Sequence, residues 1–171
     1  MILYTIGHSS LAMERFLDLL SAHGVAHVID VRRFPMSRRY PQFSREFLKR
    51  ELGERRICYT WVEALGGRRE YQPTTPHTGW NVEGFPAFAD HMETEAFEKA
   101  MAGVLEIATK EPVALMCAEA NVERCHRWLI SDWLHVRGIE VRHISSSAPT
   151  TLHVFTDFAR LEGTRIIYDG G

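Results

Sequence analysis

Apolar and polar positions along the chain switch between two periods. Residues 2–6 are a short apolar run containing Tyr4 and Thr5 and closed by Gly7, the composition of a buried strand. Met13, Phe16, Leu17 and Leu20 then fall at i, i+3, i+4 and i+7, the stripe of an amphipathic helix. A helix over 9–23 is predicted, with Ser9 or Ser10 as N-cap and Gly24 as its stop. Residues 26–31 read as a second strand. Together these make a βαβ unit, with parallel strands and a right-handed crossover.

The same alternation continues. An irregular basic loop over 32–41 precedes a helix over about 44–52, and 56–61 is a third strand. Residues 63–88 hold Gly66, Gly67, Pro73, Pro76, Gly79, Gly84 and Pro86 and show no period. A segment of that kind is expected to be structureless and functional or mobile. Phe97, Met101, Val104, Leu105 and Ala108 mark a helix over 94–109, and 113–117 is a fully apolar strand. A helix follows from 125 or 126 to 137, with Leu129, Ile130, Trp133 and Leu134 inward and Gly138 as its stop. Residues 139–144 make a fifth strand, and the tail 151–168 adds a short hairpin or irregular cover. The pattern predicts an α/β fold. It is a single three-layer domain over 1–171, with a mostly parallel central sheet of about five strands and helices on both faces.

Composition narrows the class. With 171 residues, 45% hydrophobic and 25% charged, the chain suits one domain with a full core and not a disordered or fibrous protein. No apolar run approaches the ~20 residues that cross a bilayer, and the N-terminus lacks the basic flank of a signal peptide. Three cysteines, an odd number, point to reduced thiols in a cytoplasm. The net charge of −2 is uninformative, but between Arg32 and Arg56 nine Lys or Arg face three Glu. In the later half, pairs such as Glu46–Arg50 and Glu51–Arg55 suit a solvated helix face. The arginines of the preceding loop have no such periodicity and suit an anion.

Open parallel sheets bind ligands outside the carboxyl ends of their strands. Chemistry-bearing residues gather there: His8 and Ser9 after the first strand, Asp30 and Arg32 after the second, Gly66, Gly67 and Arg68 after the third. Cys117, Glu119 and then Cys125, His126 and Arg127 follow the fourth. Cys117 reads either as a small buried hydrophobe or as a nucleophile. Cys125, beside His126 and Arg127 at a helix start, is placed to hold a thiolate. Asp30 could orient a base, bind a ribose hydroxyl, or pair with Arg32 or Arg127. Glu119, just past a buried strand, is the best acid/base candidate, because partial burial would hold its carboxyl protonated to higher pH. His8 could cap the first helix or act as a base.

Several motifs are excluded. A cysteine phosphatase loop needs Arg six positions after its Cys, where this chain has Glu123, with Arg124 one later. The loop also lacks glycine. A zinc site would need Cys117, Cys125, His126 and one of His8 or Cys58, a spacing of no recognised finger, so no metal is assigned. The dinucleotide glycine fingerprint is absent, and no cofactor is assigned. The loop over 32–43 interleaves Arg32, Arg33, Arg38 and Arg39 with Phe34, Tyr40 and Phe43. Arginine forks suit phosphate and aromatic rings stack on bases; alternatively the rings anchor the loop while the arginines face water. Ser37, within the loop, is a further candidate for anion binding, and Arg68, Arg69, Tyr71 and Trp80 could extend that surface.

The chain resembles the bacterial and archaeal domain-of-unknown-function 488 family. The resemblance runs through Thr5-Ile6-Gly7-His8-Ser9, Asp30-Val31-Arg32, Pro35-x-Ser37-Arg38, Pro41-Gln42-Phe43 and Leu65-Gly66-Gly67-Arg68-Arg69. It continues through Thr78-Gly79-Trp80, Met116-Cys117-Ala118-Glu119 and Cys125-His126-Arg127, nearly the whole chain. It implies an α/β domain in which these blocks form the pocket.

Three functions compete. The first is a hydrolase or group transferase acting on a nucleotide, nucleic acid or other phosphate-bearing substrate. Arg32, Arg38 and Arg127 would hold the anion, Glu119 would serve as acid/base, and Cys125 or Cys117 as nucleophile. The second is a non-enzymatic nucleic-acid-binding or partner-binding module using the loop over 32–43. The third is a thiol-based metal or redox site. No membrane partner is expected.

Overall fold

Successive strand residues face opposite ways, and this chain gives both faces something to bury. In the computed structural model, which describes residues 1–170, Val28, Ala114, Met116 and Ile144 join Phe16, Leu20, Leu48 and Leu52 in one core. Their neighbours Leu3, Ile29, Leu115 and Val141 join Phe88, Phe97, Met101 and Leu129 in a second. The two cores lie on opposite faces of one sheet.

In chain order the elements are β1 (Ile2–Gly7), α1 (Met13–Ala22), β2 (His27–Asp30), α2 (Arg45–Glu54), β3 (Cys58–Trp61), α3 (Phe85–His91) and α4 (Glu95–Ala108). There follow β4 (Val113–Cys117), α5 (Arg127–Val136), β5 (Glu140–Ile144), β6 (Thr151–Leu152), β7 (Ala159–Glu162) and β8 (Arg165–Tyr168). The main sheet runs β3-β2-β4-β1-β5-β6. Its first five strands are parallel, and the short β6 lies antiparallel to β5. The tail forms the expected hairpin, β7 against β8. Among the described residues no helix is long and apolar enough to cross a membrane.

The strand order positions the site. The chain leaves β1 into α1, on the face of the first core, and leaves β4 into α5, on the opposite face. β1 and β4 are adjacent, with Gly7 level with Cys117. Adjacent strands whose connections diverge to opposite faces open a crevice at their carboxyl ends.

Three expectations are corrected. The first helix begins at Met13, with Ala12 as its uncapped N-terminus. Ser9 has φ +44°, and Leu11 N–H bonds back to His8 O, so the serines belong to a turn. On α2, Arg50 lies 3.2 Å from Glu51 and Arg55 reaches across to Glu14 at 2.7 Å, so the basic helix pairs with α1 as well as within itself. Residues 63–88 are not structureless throughout. A single 3₁₀ turn covers Glu63–Leu65, and α3 starts at Phe85. Pro86 sits in its first turn, where the missing N–H costs nothing; counted as a loop marker, it hides the helix.

Candidate functional site

The loops that leave the strands are locked together before any chemistry is considered. His8 N–H bonds to Cys117 O and Ser9 N–H to Ala118 O, both at 2.9 Å, extending the β1–β4 ladder past the strands. A Cβ on Gly7 would fall 2.0 Å from Glu119 O, so only glycine lets the two loops approach. Gly66 repeats the device, since a Cβ there would meet the Arg33 backbone at 2.6 Å.

Below the crevice lies a buried ion pair. Arg32 Nη2 donates to Asp30 Oδ2 at 2.6 Å, its Nε donates to Oδ1 at 2.9 Å, and Tyr59 adds its hydroxyl at 2.6 Å. Arg32 Nη1 donates to Phe43 O at 2.7 Å and lies 3.3 Å from His8 Nε2. His8 uses its Nδ1–H on Ser9 O at 2.9 Å and stacks on Phe43 at 4.2 Å. Burial, reinforced by the Arg32 charge, lowers its pKa to about 4. His8 is therefore neutral at neutral pH, with its lone pair turned to Arg32.

Two thiols meet above this base. Cys117 ends β4, half-buried, and Cys125, buried, stands just before α5. Cys125 Sγ accepts from Arg127 Nε at 3.2 Å and lies 3.7 Å from His126 Nδ1. His126 Nε2 is 2.8 Å from Val31 O, to which it can only donate, so Nδ1 is the nitrogen presented to the sulfur. Burial alone would push the Cys125 thiol up. The hydrogen bond from Cys117 and the charges of Arg127 and His126 outweigh it, holding Cys125 well below the ordinary thiol range. Cys117 moves the other way, because it donates to Cys125 and is buried. The pair thus releases its first proton early and its second late. Sγ of Cys117, Sγ of Cys125 and a ring nitrogen of His126 all lie within 4.8 Å of one another, a donor set suited to a soft metal ion.

A cleft of about 960 Å³ opens over the thiols. Its arginines are Arg32, Arg33, Arg68, Arg69 and Arg124, and its acids are Glu83 and Glu119. Asp30 balances Arg32 and Glu63 balances Arg33, while Arg69 donates to Gly66 O at 2.9 Å and Glu63 O at 2.8 Å. Arg68 and Arg124 are exposed, and among the described residues neither has an ion-pair partner. Arg68 also holds φ +57°, an uncommon backbone for a side chain of its size.

A family model described as Domain of unknown function DUF488 matches residues 12–134, more than half of the chain. The chain belongs to this family. No curated protein and no solved structure matches it. The DUF488 match runs from the start of α1 into α5, so it takes in Cys117, Cys125, His126 and Arg127. It is narrower than the resemblance read from residue 5 onward and leaves out His8.

Most of the sequence-predicted residues converge. His8, Arg32, Ser37, Gly67, Arg68, Cys117, Glu119, Cys125 and His126 line the cleft. Asp30 takes the pairing role among its three readings, and Arg127 lies fully buried behind Cys125, with a second bond to Glu119 O. Arg32 is likewise buried, so neither guanidinium faces the cleft freely. Gly66 and Gly67 act by close packing, the latter against the His126 ring. Glu119 is exposed, its carboxylate accepting from Asn121 N–H at 3.0 Å, so the partial burial expected of it is missing. Arg38 and Trp80 are not among the cleft-lining residues. Trp80 instead sits 4.7 Å from Phe158 and 4.8 Å from Phe85, anchoring the hairpin. Arg124, one position out of register for a phosphatase arginine, lines the cleft as well; its place at the end of the Cys117 loop is the sequence signal for it. The amides of Asn121, Glu123, Arg124 and Cys125 bond within that loop, unlike a phosphate cradle.

Proposed function

We propose that the cleft is the active site of a thiolate-dependent hydrolase or group transferase for a phosphate-bearing substrate. The observation that carries this reading is the contact of Arg127 Nε with Cys125 Sγ at 3.2 Å, with a second thiol and His126 Nδ1 beside the same sulfur. A cation behind a thiolate and proton donors in front of it suit a nucleophile. The Cys125 electron pair forms a bond to the electrophilic atom of the substrate as the bond to the leaving group breaks. The leaving group takes the proton of the Cys117 thiol, or the proton that Cys125 gives up to His126 Nδ1 on becoming a thiolate. Water then displaces the sulfur, with Glu119 at the rim as the acid/base group, and the thiolate is restored. Arg68 and Arg124 attract the anionic portion.

Alkylation by iodoacetamide, followed against pH by intact mass, tests the reading. One thiol should react with a midpoint well below the ordinary ~8.5, and Cys125→Ser should remove it. Arg127→Met should raise that midpoint by about one to two units. Turnover of phosphate-ester and glycosidic substrates should vanish in Cys125→Ser and persist in Cys58→Ser. An ordinary midpoint together with full turnover in Cys125→Ser overturns the proposal.

A second reading has its own observation. The Val31 carbonyl holds His126 Nε2 and thereby aims Nδ1 at the two sulfurs, as partners of metal-bound histidines do. Stoichiometric zinc or iron in protein purified without added metal, lost in Cys125→Ser, would favour a metal site over a nucleophile.

A further inference from the structure

The cleft has an apolar lip that its thiols and arginines do not explain. Phe34 is 63% exposed and Met36 78% exposed, and both line it. They stand there by construction. Pro35, between them, is buried, and its carbonyl is held by Arg45 N–H at 2.9 Å. Met36 N–H closes onto Phe34 O at 2.8 Å, kinking the chain so that both side chains leave the surface. The anchoring role proposed for aromatic residues of this loop is filled by Phe43, fully buried against His8 and Phe16. Among the described residues Phe34 stacks on no other ring, and an exposed ring and thioether beside arginines suit a flat, apolar face joined to an anion.

Resting on the reading of the substrate as phosphate-bearing, we propose that it is a nucleotidyl unit, with its base on Phe34 and Met36 and its phosphate on Arg68 and Arg124. Arginine forks match phosphate oxygens, and every base offers a π-face to an aromatic side chain. The cleft, about 960 Å³, stands near the upper end of the roughly 300–1,000 Å³ common for small-molecule sites. It has room for a base, a sugar and a phosphate. A free nucleotide and a single strand offer the same chemistry.

Binding to the full chain carrying Cys125→Ser, which removes the proposed nucleophile, separates these. The probes are inorganic phosphate, ribose 5-phosphate, AMP and a single-stranded thymidine decamer, measured by calorimetry at one fixed low salt. AMP or the decamer should bind at least about tenfold more tightly than ribose 5-phosphate. Phe34→Ala should remove that advantage and leave ribose 5-phosphate unchanged. Arg68→Ala with Arg124→Ala should weaken every probe that binds. Preference for AMP assigns a free nucleotide, and preference for the decamer a single strand. Equal binding of ribose 5-phosphate, AMP and the decamer, no effect of Phe34→Ala, or no binding of either base-carrying probe overturns the proposal. Base discrimination that persists while the thiol titrates normally would sink the thiolate reading alone.

Discussion

One helix carries both of the polar clusters that matter in this molecule, and they are built on opposite rules. At the head of α5, Cys125 and His126 meet Cys117 at an open cleft, with Arg127 buried behind Cys125. Further along the same helix, Asp132 is wholly buried and accepts from Tyr168 Oη at 2.9 Å, Thr156 Oγ1 at 2.7 Å, Thr156 N–H at 3.1 Å and His153 Nε2 at 2.9 Å. His153 Nδ1 then faces His143 Nε2 at 3.1 Å, and His143 Nδ1 faces Thr5 Oγ1 at 2.8 Å. A single order of protons, running from Thr5 to Asp132, satisfies every member of this chain. At the thiols no such closure exists: the proton between Cys117, Cys125 and His126 has several seats, and one side is open to a ligand. Saturated and buried, the first cluster is scaffold; unsaturated and accessible, the second is where chemistry can occur.

The sharpest way to break this comparison is to remove Asp132. Asp132→Ala strands two histidines, a tyrosine and a threonine in the core and releases the tail that carries His153, Thr156 and Tyr168. It should cost about 3–5 kcal/mol in urea unfolding, the usual penalty for stripping one partner from a buried charged network. In the protein that stays folded, the Cys125 alkylation midpoint should not move. A loss below about 1 kcal/mol, or a shifted thiol midpoint, would mean that the two clusters are not separate devices.

Acid probes the two clusters together. Burial, with the charges of His153 and Arg127, lowers the pKa of His143 to about 3, and His8 is lowered to about 4. Both fall below the ~6.5 of an unfolded histidine, so the unfolded chain binds the extra protons. The stability they contribute is fully present above about pH 6.5 and is lost as pH falls towards 4 for His8 and 3 for His143. The slope is on the order of 1.4 kcal/mol per pH unit for each group. His143→Gln and His8→Gln should each flatten the urea-midpoint profile below pH 6.5. A profile that stays level from pH 6.5 to 4.5 would show that these histidines take up protons in the native state.

The strands and most helices are legible in the sequence because period and burial agree: the apolar run 113–117 coincides with β4, and α4 is one residue shorter at each end than the helix its stripe predicts. What escaped was set by contacts distant in sequence. Ser9 looked like an N-cap, but its amide is drawn to Ala118. Trp80 reads as part of the binding surface or pocket, but the hairpin, some eighty residues later in the chain, packs against it instead. The convergence of Cys117 with Cys125 was legible from the strand-end rule, and the family match includes both. The direction of the arginines was not legible, since Arg32 and Arg68 look alike in sequence. Only the placement of Asp30 shows that Arg32 is buried in an ion pair, while Arg68 is exposed with no ion-pair partner among the described residues.

The smallest effect on the fold should come from Glu119→Gln, and it sharpens the comparison most economically. Glu119 belongs to the open cluster by position, yet among the described residues its carboxylate hydrogen-bonds only to the Asn121 amide. Being exposed, it should change stability by no more than about 0.5 kcal/mol, and glutamine can still accept from Asn121 N–H. The thiol midpoint should hold as well, because Arg127 reaches the backbone oxygen of Glu119 and not its side chain. Turnover is where the substitution should register. An acid/base group that activates water contributes about 10²–10⁴-fold, so in any assay where activity depends on Cys125, Glu119→Gln should lose at least a hundredfold while substrate binding is kept. Unchanged turnover would confine the proton chemistry to Cys117 and His126, leaving Glu119 as a loop residue whose backbone, not its carboxylate, serves the site.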